Sequence, residues 1–237
     1  MTDDEVEQAR EQILACFKSA KSIDVDVIID TGHPAHRILA CATSLPADLI
    51  VVGTHGTGGF EHLVLGSVTE KVLRKATCPV MTVPPHARTT AKLPFKRLLC
   101  PIDFSEPSLR ALEFALSLAQ EADAELTILH VFEWPVGDEP LEARPFTVPE
   151  FRQQCERDAA QKLHELVPQS AREWCRPATR LAHGKAYREI LGIAADVSAD
   201  AIIMGVHGRN ALDLMLFGST TNQVVRLATC PVVTLRA

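Results

Sequence analysis

Glycines at a recurring spacing are the residues of this chain best suited to chemistry, and that chemistry is phosphate binding. Gly205 is followed three residues later by Gly208 and, after nine further residues, by Gly218 and Ser219. Glycine lets the backbone approach a ligand closely, and a helix that opens with Gly-Ser-Thr offers backbone N–H groups, hydroxyls and a positive dipole end. Each exposed contact of this kind contributes about 0.3–1 kcal/mol, so several must act together. The same spacing occurs earlier in the chain, at Gly53, Gly56, Gly66 and Ser67.

The motifs of common phosphate-transferring and hydrolytic enzymes are missing from the sequence. No segment matches G-x4-G-K-[ST], a nucleophile elbow or H-E-x-x-H. The glycine segments also lack the lysine and the metal-binding carboxylate that phosphoryl transfer ordinarily uses. His33 and His36 are spaced for a metal, but no cysteine or carboxylate set completes a site. We therefore expect binding without fast turnover, no catalytic residue and no protein metal site.

The two glycine segments belong to an internal repeat. ADLIVVGTHG at 47–56 corresponds to ADAIIMGVHG at 199–208, and LGSVTEKVLRKATCPVMTV at 65–83 corresponds to FGSTTNQVVRLATCPVVTL at 217–235. A single shift of 152 residues aligns both pairs without a gap, and about 20 of the 50 positions from 31 to 80 are identical. Two unrelated apolar patterns would not share this much identity, so the chain contains two related units.

The second unit, residues 96–237, has a full series of alternating strands and helices. The predicted strands span 98–103, 125–132, 178–184, 201–205 and 231–235. Such alternation predicts an α/β fold: an open parallel five-stranded sheet with helices on both faces and right-handed crossovers. Ser105 is placed to cap the first helix, with Pro107 in its first turn. Ligands bind such sheets beyond the carboxyl ends of the strands, which places Asp103, Val131 and Gly205 around one crevice.

The first unit, residues 1–88, is incomplete because it lacks the first two strands and the first helix. It begins at a helix, about 4–20, followed by a predicted strand at 25–30, and residues 89–95 form the linker. Three explanations are open: the strands were lost, the true start lies upstream, or strand 25–30 pairs directly with the strand at 49–52. We expect the first unit to be the weaker one, dependent on the second unit or on another chain for its order.

Three features together resemble the universal stress proteins, a family with ATP-binding members. They are the spacing G-x2-G-x9-G-[ST] after a strand, the opening PIDFSEPS at 101–108 and the ending ATCPVVTL at 228–235. The resemblance covers 96–237 as a full domain and about 1–84 as the later two thirds of another. It implies the adenine-nucleotide alpha-hydrolase-like fold in tandem, the strand order 3-2-1-4-5, and a bound ATP, ADP or AMP, with or without Mg²⁺. Because closing strands pair between units in this family, it also implies an intrachain pseudo-dimer, alone or within a homodimer.

The resemblance also implies roles for individual residues. Asp103 would accept a hydrogen bond from the adenine amino group with Pro101 packed beside it, and Val131 would contact adenine through its backbone. Met204 and Gly205 would line the ribose side. The implied phosphate ligands are His207, Gly208, Arg209, Gly218, Ser219 and Thr220. The first unit would keep at most a weak phosphate site, at Gly53, Gly56, Gly66 and Ser67.

Simpler interpretations stand beside these roles. Asp103 is also suited to capping a helix as an acid near its dipole, and Cys78 and Cys230 are expected to be small buried residues rather than redox groups. For the whole chain we expect a nucleotide-binding stress or signalling module with an unidentified partner. The alternatives are a slow ATPase or nucleotidyl-transfer enzyme that uses the same crevice, and a dimerisation protein with vestigial sites.

Composition narrows the class of protein further. The net charge of −6 opposes binding to nucleic-acid phosphates, and no apolar run reaches the roughly 18 to 20 residues that a membrane span needs. The opening MTDDEVEQAR is too acidic for a secretory signal, and seven cysteines without a C-x-x-C pair are typical of reduced thiols. We expect a cytoplasmic protein that binds neither nucleic acid nor membrane.

Overall fold

The computed structural model describes residues 2–17, 24–54, 65–85, 87, 93–133, 148–175, 177–206 and 218–236. Elements of the first unit are α1 (Asp3–Cys16), α2 (Pro34–Ser44), β1 (Ile50–Gly53), α3 (Ser67–Lys75) and β2 (Val80–Val83). Elements of the second unit are β3 (Arg97–Pro101), α4 (Glu106–Ala122), β4 (Glu125–Phe132), α5 (Val148–Leu166), α6 (Ala171–Trp174), β5 (Ala178–His183), α7 (Ala186–Asp196), β6 (Ala201–Gly205), α8 (Ser219–Leu227) and β7 (Val232–Leu235).

The strands join in one seven-stranded sheet with the order β1-β2-β7-β6-β3-β4-β5. Strands β3 to β7 run parallel to their neighbours within the second unit. When these five strands are numbered 1 to 5 along the chain, their order in the sheet is the expected 3-2-1-4-5. Helices α4, α5 and α6 pack on one face, and α2, α3, α7 and α8 pack on the other. The α/β prediction is therefore confirmed. The strand order reverses at β3, which is the place where such sheets hold ligands.

The central strands are continuous apolar runs in the sequence because both faces of the sheet are buried there. Leu98 and Ile203 belong to the core beneath α4, whereas Leu99 and Ile202 belong to the core beneath α7 and α8. All four side chains are fully buried, and each such burial stabilises the fold by about 1.5–3 kcal/mol. Among the described helices, none combines the length and apolar character that a membrane crossing requires.

The two closing strands meet inside the chain, as predicted. β2 pairs antiparallel with β7, and the register matches Val80 with Thr234, Met81 with Val233 and Thr82 with Val232. Because Val232 and Thr234 are the repeat equivalents of Val80 and Thr82, this register is symmetric about its middle pair. The threonine hydroxyls follow the symmetry: Thr82 Oγ1 donates to Val232 O (3.2 Å) and Thr234 Oγ1 donates to Val80 O (3.3 Å). The junction is thus a pseudo-twofold pair that joins the units in one sheet.

The predicted strand at 25–30 is wrong, since residues 24–31 form no strand. Its apolar run is real, but the described sheet ends at β1, and no described strand is available to pair with this segment. Ile28 is consequently 59% exposed. Direct pairing with the strand at 49–52 is also excluded, because β1 pairs with β2 and forms the outer strand of the sheet. Val51 on that outer strand is likewise 59% exposed.

Candidate functional site

The candidate site lies at the carboxyl ends of β3, β4 and β6. β3 pairs with β4 up to Pro101 and Leu129, and the Ile102 N–H extends this ladder by donating to Leu129 O at 2.7 Å. β6 runs along the other side of β3. β3 therefore lies between β4 and β6. Asp103 follows the end of β3, Val131 lies near the end of β4, and Gly205 is the last residue of β6. The topology brings the three predicted residues to one edge of the sheet.

Asp103 is held by hydrogen bonds within its own turn. Its Oδ1 accepts from the Ser105 N–H (3.0 Å) and from the Ser105 hydroxyl, and the Asp103 N–H faces Ser108 Oγ at 3.4 Å. The Ser108 hydroxyl in turn donates to Ser105 O at 2.9 Å. Ser105 occupies the N-cap position of α4, but its side chain makes no capping bond because its hydroxyl donates to Asp103. The simpler interpretation of Asp103, an acid that orders a helix start, thus has direct structural support, and the residue remains partly exposed.

Gly205 packs so closely against α4 that a side chain would not fit there. A Cβ at Gly205 would lie 2.8 Å from the carbonyl carbon of Pro107 and 2.8 Å from its Cβ, and Gly205 has no positive φ. The first turn of α4 therefore rests directly on the end of β6. The neighbouring Met204 is 5% exposed and packs in the core, and Pro101 is buried as well. These three residues are thus packed within the fold at the ends of β3 and β6.

The start of α8 is attached to the end of β6 by two hydrogen bonds. The Gly218 N–H donates to Val206 O at 3.1 Å, and Thr221 Oγ1 donates to Gly205 O at 2.9 Å. The Gly218 N–H is therefore engaged by the fold. Gly218 is also the N-cap residue, and because glycine has no side chain, the N-cap residue supplies no side-chain hydrogen bond to the first turn of α8. Ser219 and Thr220 open that turn, the former exposed and the latter half-buried.

The first unit repeats this frame. The Gly66 N–H donates to Thr54 O at 3.0 Å, and Thr69 Oγ1 donates to Gly53 O at 2.8 Å. Gly66 has φ −58° and ψ 135°, close to φ −54° and ψ 137° at Gly218. Ser67 opens α3 and is exposed. Among the described residues, β1 is the outer strand of the sheet, and no strand beside it brings an acid to the same edge.

Some of the predicted ligands lie outside the described residues: His207, Gly208 and Arg209 in the second unit, and Gly56 in the first. Within the described part of the chain, no group of three or more His, Cys, Asp or Glu side chains could hold a metal ion. Cys230 is buried, and burial together with the charge of Asp200 raises the pKa of its thiol to about 11. At neutral pH this thiol is protonated, as suits a small core residue.

Sequence reasoning missed two kinds of residue at this edge. The buried threonines Thr69 and Thr221 each join a helix start to a strand end by a hydrogen bond. The repeat could have indicated them, because this threonine is identical in both units while the preceding residue changes from Val68 to Thr220. His130 is 9% exposed and lies within hydrogen-bonding distance of Ile102 O. A single histidine inside the apolar run of β4 gives no periodic signal, so the sequence did not single it out.

Comparison with known proteins agrees with this architecture. The family model for the Universal stress protein family matches residues 1–84 and again residues 94–236. Universal stress protein YxiE of Bacillus subtilis is 32% identical over 147 residues, which is 60% of this chain and 99% of that protein. A universal stress protein of Mycolicibacterium smegmatis is 28% identical over 240 residues, 98% of this chain and 75% of that protein.

Solved structures give the same result. The crystal structure of a universal stress protein from Archaeoglobus fulgidus is similar to this chain with a TM-score of 0.66 and 25% identity, over 100% of this chain and 80% of that one. The sheet order and the double match to one family model point to the same assignment. This chain belongs to the universal stress protein family.

Proposed function

We propose that the second unit binds an adenine nucleotide, namely ATP, ADP or AMP with or without Mg²⁺, at the edge formed by β3, β6 and α8. One observation carries the proposal: the loop that bears Asp103, after β3, and the start of α8, whose N-cap residue is a glycine, flank the end of β6. Helix starts attract anions through free N–H groups and the dipole. Carboxylates accept hydrogen bonds from amino groups such as that of adenine.

The proposed roles follow from these positions. The backbone of Ser219 and Thr220 takes the phosphates, and His207, Gly208 and Arg209 are further proposed phosphate ligands. Asp103 takes the adenine amino group, with the Val131 backbone beside it. Gly218 contributes by keeping the helix start open rather than through its own N–H, which Val206 O already accepts.

The proposed role of the nucleotide is to be bound rather than consumed, in a cytoplasmic stress or signalling module whose partner reads the occupied state. The first unit, proposed as residues 1–88, would bind at most weakly, because its helix start at α3 has no acid-bearing strand end beside it among the described residues. One nucleotide per chain is therefore expected. The linker at 89–95 and the complete unit at 96–237 remain the proposed boundaries.

The test uses a substitution pair that the repeat provides. Gly218→Val places a side chain at the open helix start, and the backbone angles of Gly218 are accessible to valine, so the fold should tolerate it. Gly66→Val makes the same change in the first unit. Calorimetric titration of the full chain should give one ATP site, which Gly218→Val abolishes and Gly66→Val leaves unchanged. Two equal sites, or an equal effect of both substitutions, would contradict the proposal.

Turnover is tested on the same proteins. Incubation of the purified chain with ATP should release no phosphate over many hours beyond the level seen with Gly218→Val. Release that disappears in Gly218→Val would instead indicate a slow ATPase that uses this crevice. If neither calorimetry nor mass spectrometry of the gently purified protein finds a nucleotide, the site is vestigial and the proposal is wrong.

A further inference from the structure

His130 contacts the loop that carries Asp103 through a short hydrogen bond. It lies in β4 with only 9% of its surface exposed, and its Nδ1 is 2.7 Å from Ile102 O. A carbonyl oxygen can only accept, so Nδ1 must carry the proton in this arrangement. The bond joins β4 to the residue directly before Asp103.

The same imidazole ring also packs against the residue directly after Asp103. The rings of His130 and Phe104 have centroids 4.8 Å apart at an interplanar angle of 49°, and Phe132 contacts His130 edge-on at 4.8 Å and 85°. Phe104 has φ 64°, a conformation that residues other than glycine seldom adopt and that surrounding structure must hold in place. One buried side chain therefore holds the positions on both sides of the acid.

We propose that His130 is a positioning residue of the nucleotide site: its Nδ1–H fixes Ile102 O and thereby sets the Asp103 turn in the geometry that receives adenine. The effect on adenine affinity rests on the proposed adenine-nucleotide function, whereas the positioning of the Asp103 turn can be measured on the protein without ligand. It predicts that His130 affects affinity for the adenine end of the ligand and leaves affinity for the phosphate end unchanged, because α8 is held by different bonds.

Two substitutions separate the hydrogen bond from the bulk of the side chain. His130→Asn retains an N–H donor near the position of Nδ1, whereas His130→Phe retains a ring and loses the donor. A third variant, Leu163→Val, removes one methylene from the same core at a position in α5 and leaves His130 intact. It serves as the control for a general loss of stability.

The first measurement is amide hydrogen exchange by NMR on the full chain without ligand. The Asp103 and Ser105 amides report on the turn because both bond within it. We expect His130→Phe to accelerate their exchange about tenfold, the effect of losing one buried hydrogen bond, and His130→Asn and Leu163→Val to leave it near the wild-type rate. The second measurement is calorimetry, in which His130→Phe should weaken ATP about tenfold and leave inorganic tripolyphosphate unchanged.

The outcomes separate the two proposals. Unchanged exchange in His130→Phe, or equal acceleration in His130→Asn and His130→Phe, would overturn the positioning role whether or not ATP binds. Accelerated exchange with unchanged ATP affinity would overturn the link from His130 to adenine. Accelerated exchange in His130→Phe alone, in a protein whose wild-type form binds no adenine nucleotide, would support the positioning role and refute the proposed function.

Discussion

Replacement of Gly205 by alanine tests whether close packing against α4 requires a glycine at this position. The added Cβ would lie 2.8 Å from the carbonyl carbon and the Cβ of Pro107 and 3.0 Å from its oxygen. Carbon atoms make favourable contact at about 3.5–4.0 Å, so α4 would have to retreat by about 0.7 Å or more from a strand that is buried on both faces. Overpacking of this kind costs about 1–3 kcal/mol.

Gly192 supplies a matched control in the same unit. It lies in α7, and a Cβ built there meets nothing within 4 Å, so Gly192→Ala should stabilise the protein by about 0.5–1 kcal/mol through its effect on the helix backbone. Urea unfolding and thermal melts of the full chain measure both effects, and each kcal/mol should shift Tm by about 2–4 °C. If Gly205→Ala is as stable as the wild type, the contact with Pro107 does not explain this glycine.

Three further predictions follow from bonds and charges described above. Thr82→Val with Thr234→Val removes both hydroxyl bonds of the β2–β7 junction, and urea unfolding should show a loss of about 1–3 kcal/mol. Asp200→Ala removes the carboxylate that accepts from the backbone N–H groups of Lys96 and Arg97, and urea unfolding should show a loss of about 1.5–3 kcal/mol. Asp48→Ala, at the exposed equivalent position, should change stability by less than about 0.5 kcal/mol. The pKa of the Cys230 thiol is raised from 9.0 to about 11, so between pH 9 and 11 the native state keeps this proton while the unfolded state loses it. The free energy of unfolding should therefore fall in that range by up to about 1.4 kcal/mol per pH unit. Cys230→Ala should reduce that slope.

The fold could be predicted because two independent patterns agreed. Apolar runs of strand length alternated with helical spacing in 96–237, and the repeat showed that 79–83 and 231–235 were the same element. Since each closing strand leaves an edge, pairing between them was the simplest way to cover both. The antiparallel β2–β7 register bears this out.

The strand at 25–30 could not be predicted correctly because an apolar run states only that a segment can pair, and not that a partner exists. Val27, Ile28 and Ile29 have the composition of a buried strand. The described sheet ends at β1, so no described strand is available to pair with them. The site was harder for a related reason: Gly205 and Gly218 fit a ligand pattern, yet the contacts of Pro107 and Val206 with them are long-range features that sequence spacing does not encode.

The two units act as an internal comparison that separates what the fold needs from what a ligand needs. Both units have a glycine N-cap and a threonine whose hydroxyl joins the helix start to the strand end. Bonds shared by both units are therefore explained by the strand–helix connection alone, whether or not anything binds. Asp103, the turn around it and the His130 contact that holds this turn are described in the second unit alone, and they are the features that a binding function has to explain. Substitutions that test function should accordingly be made in the loop after β3, which carries Asp103. Substitutions of Gly205 and Gly218, or of their equivalents in the first unit, should first be measured for their effect on stability.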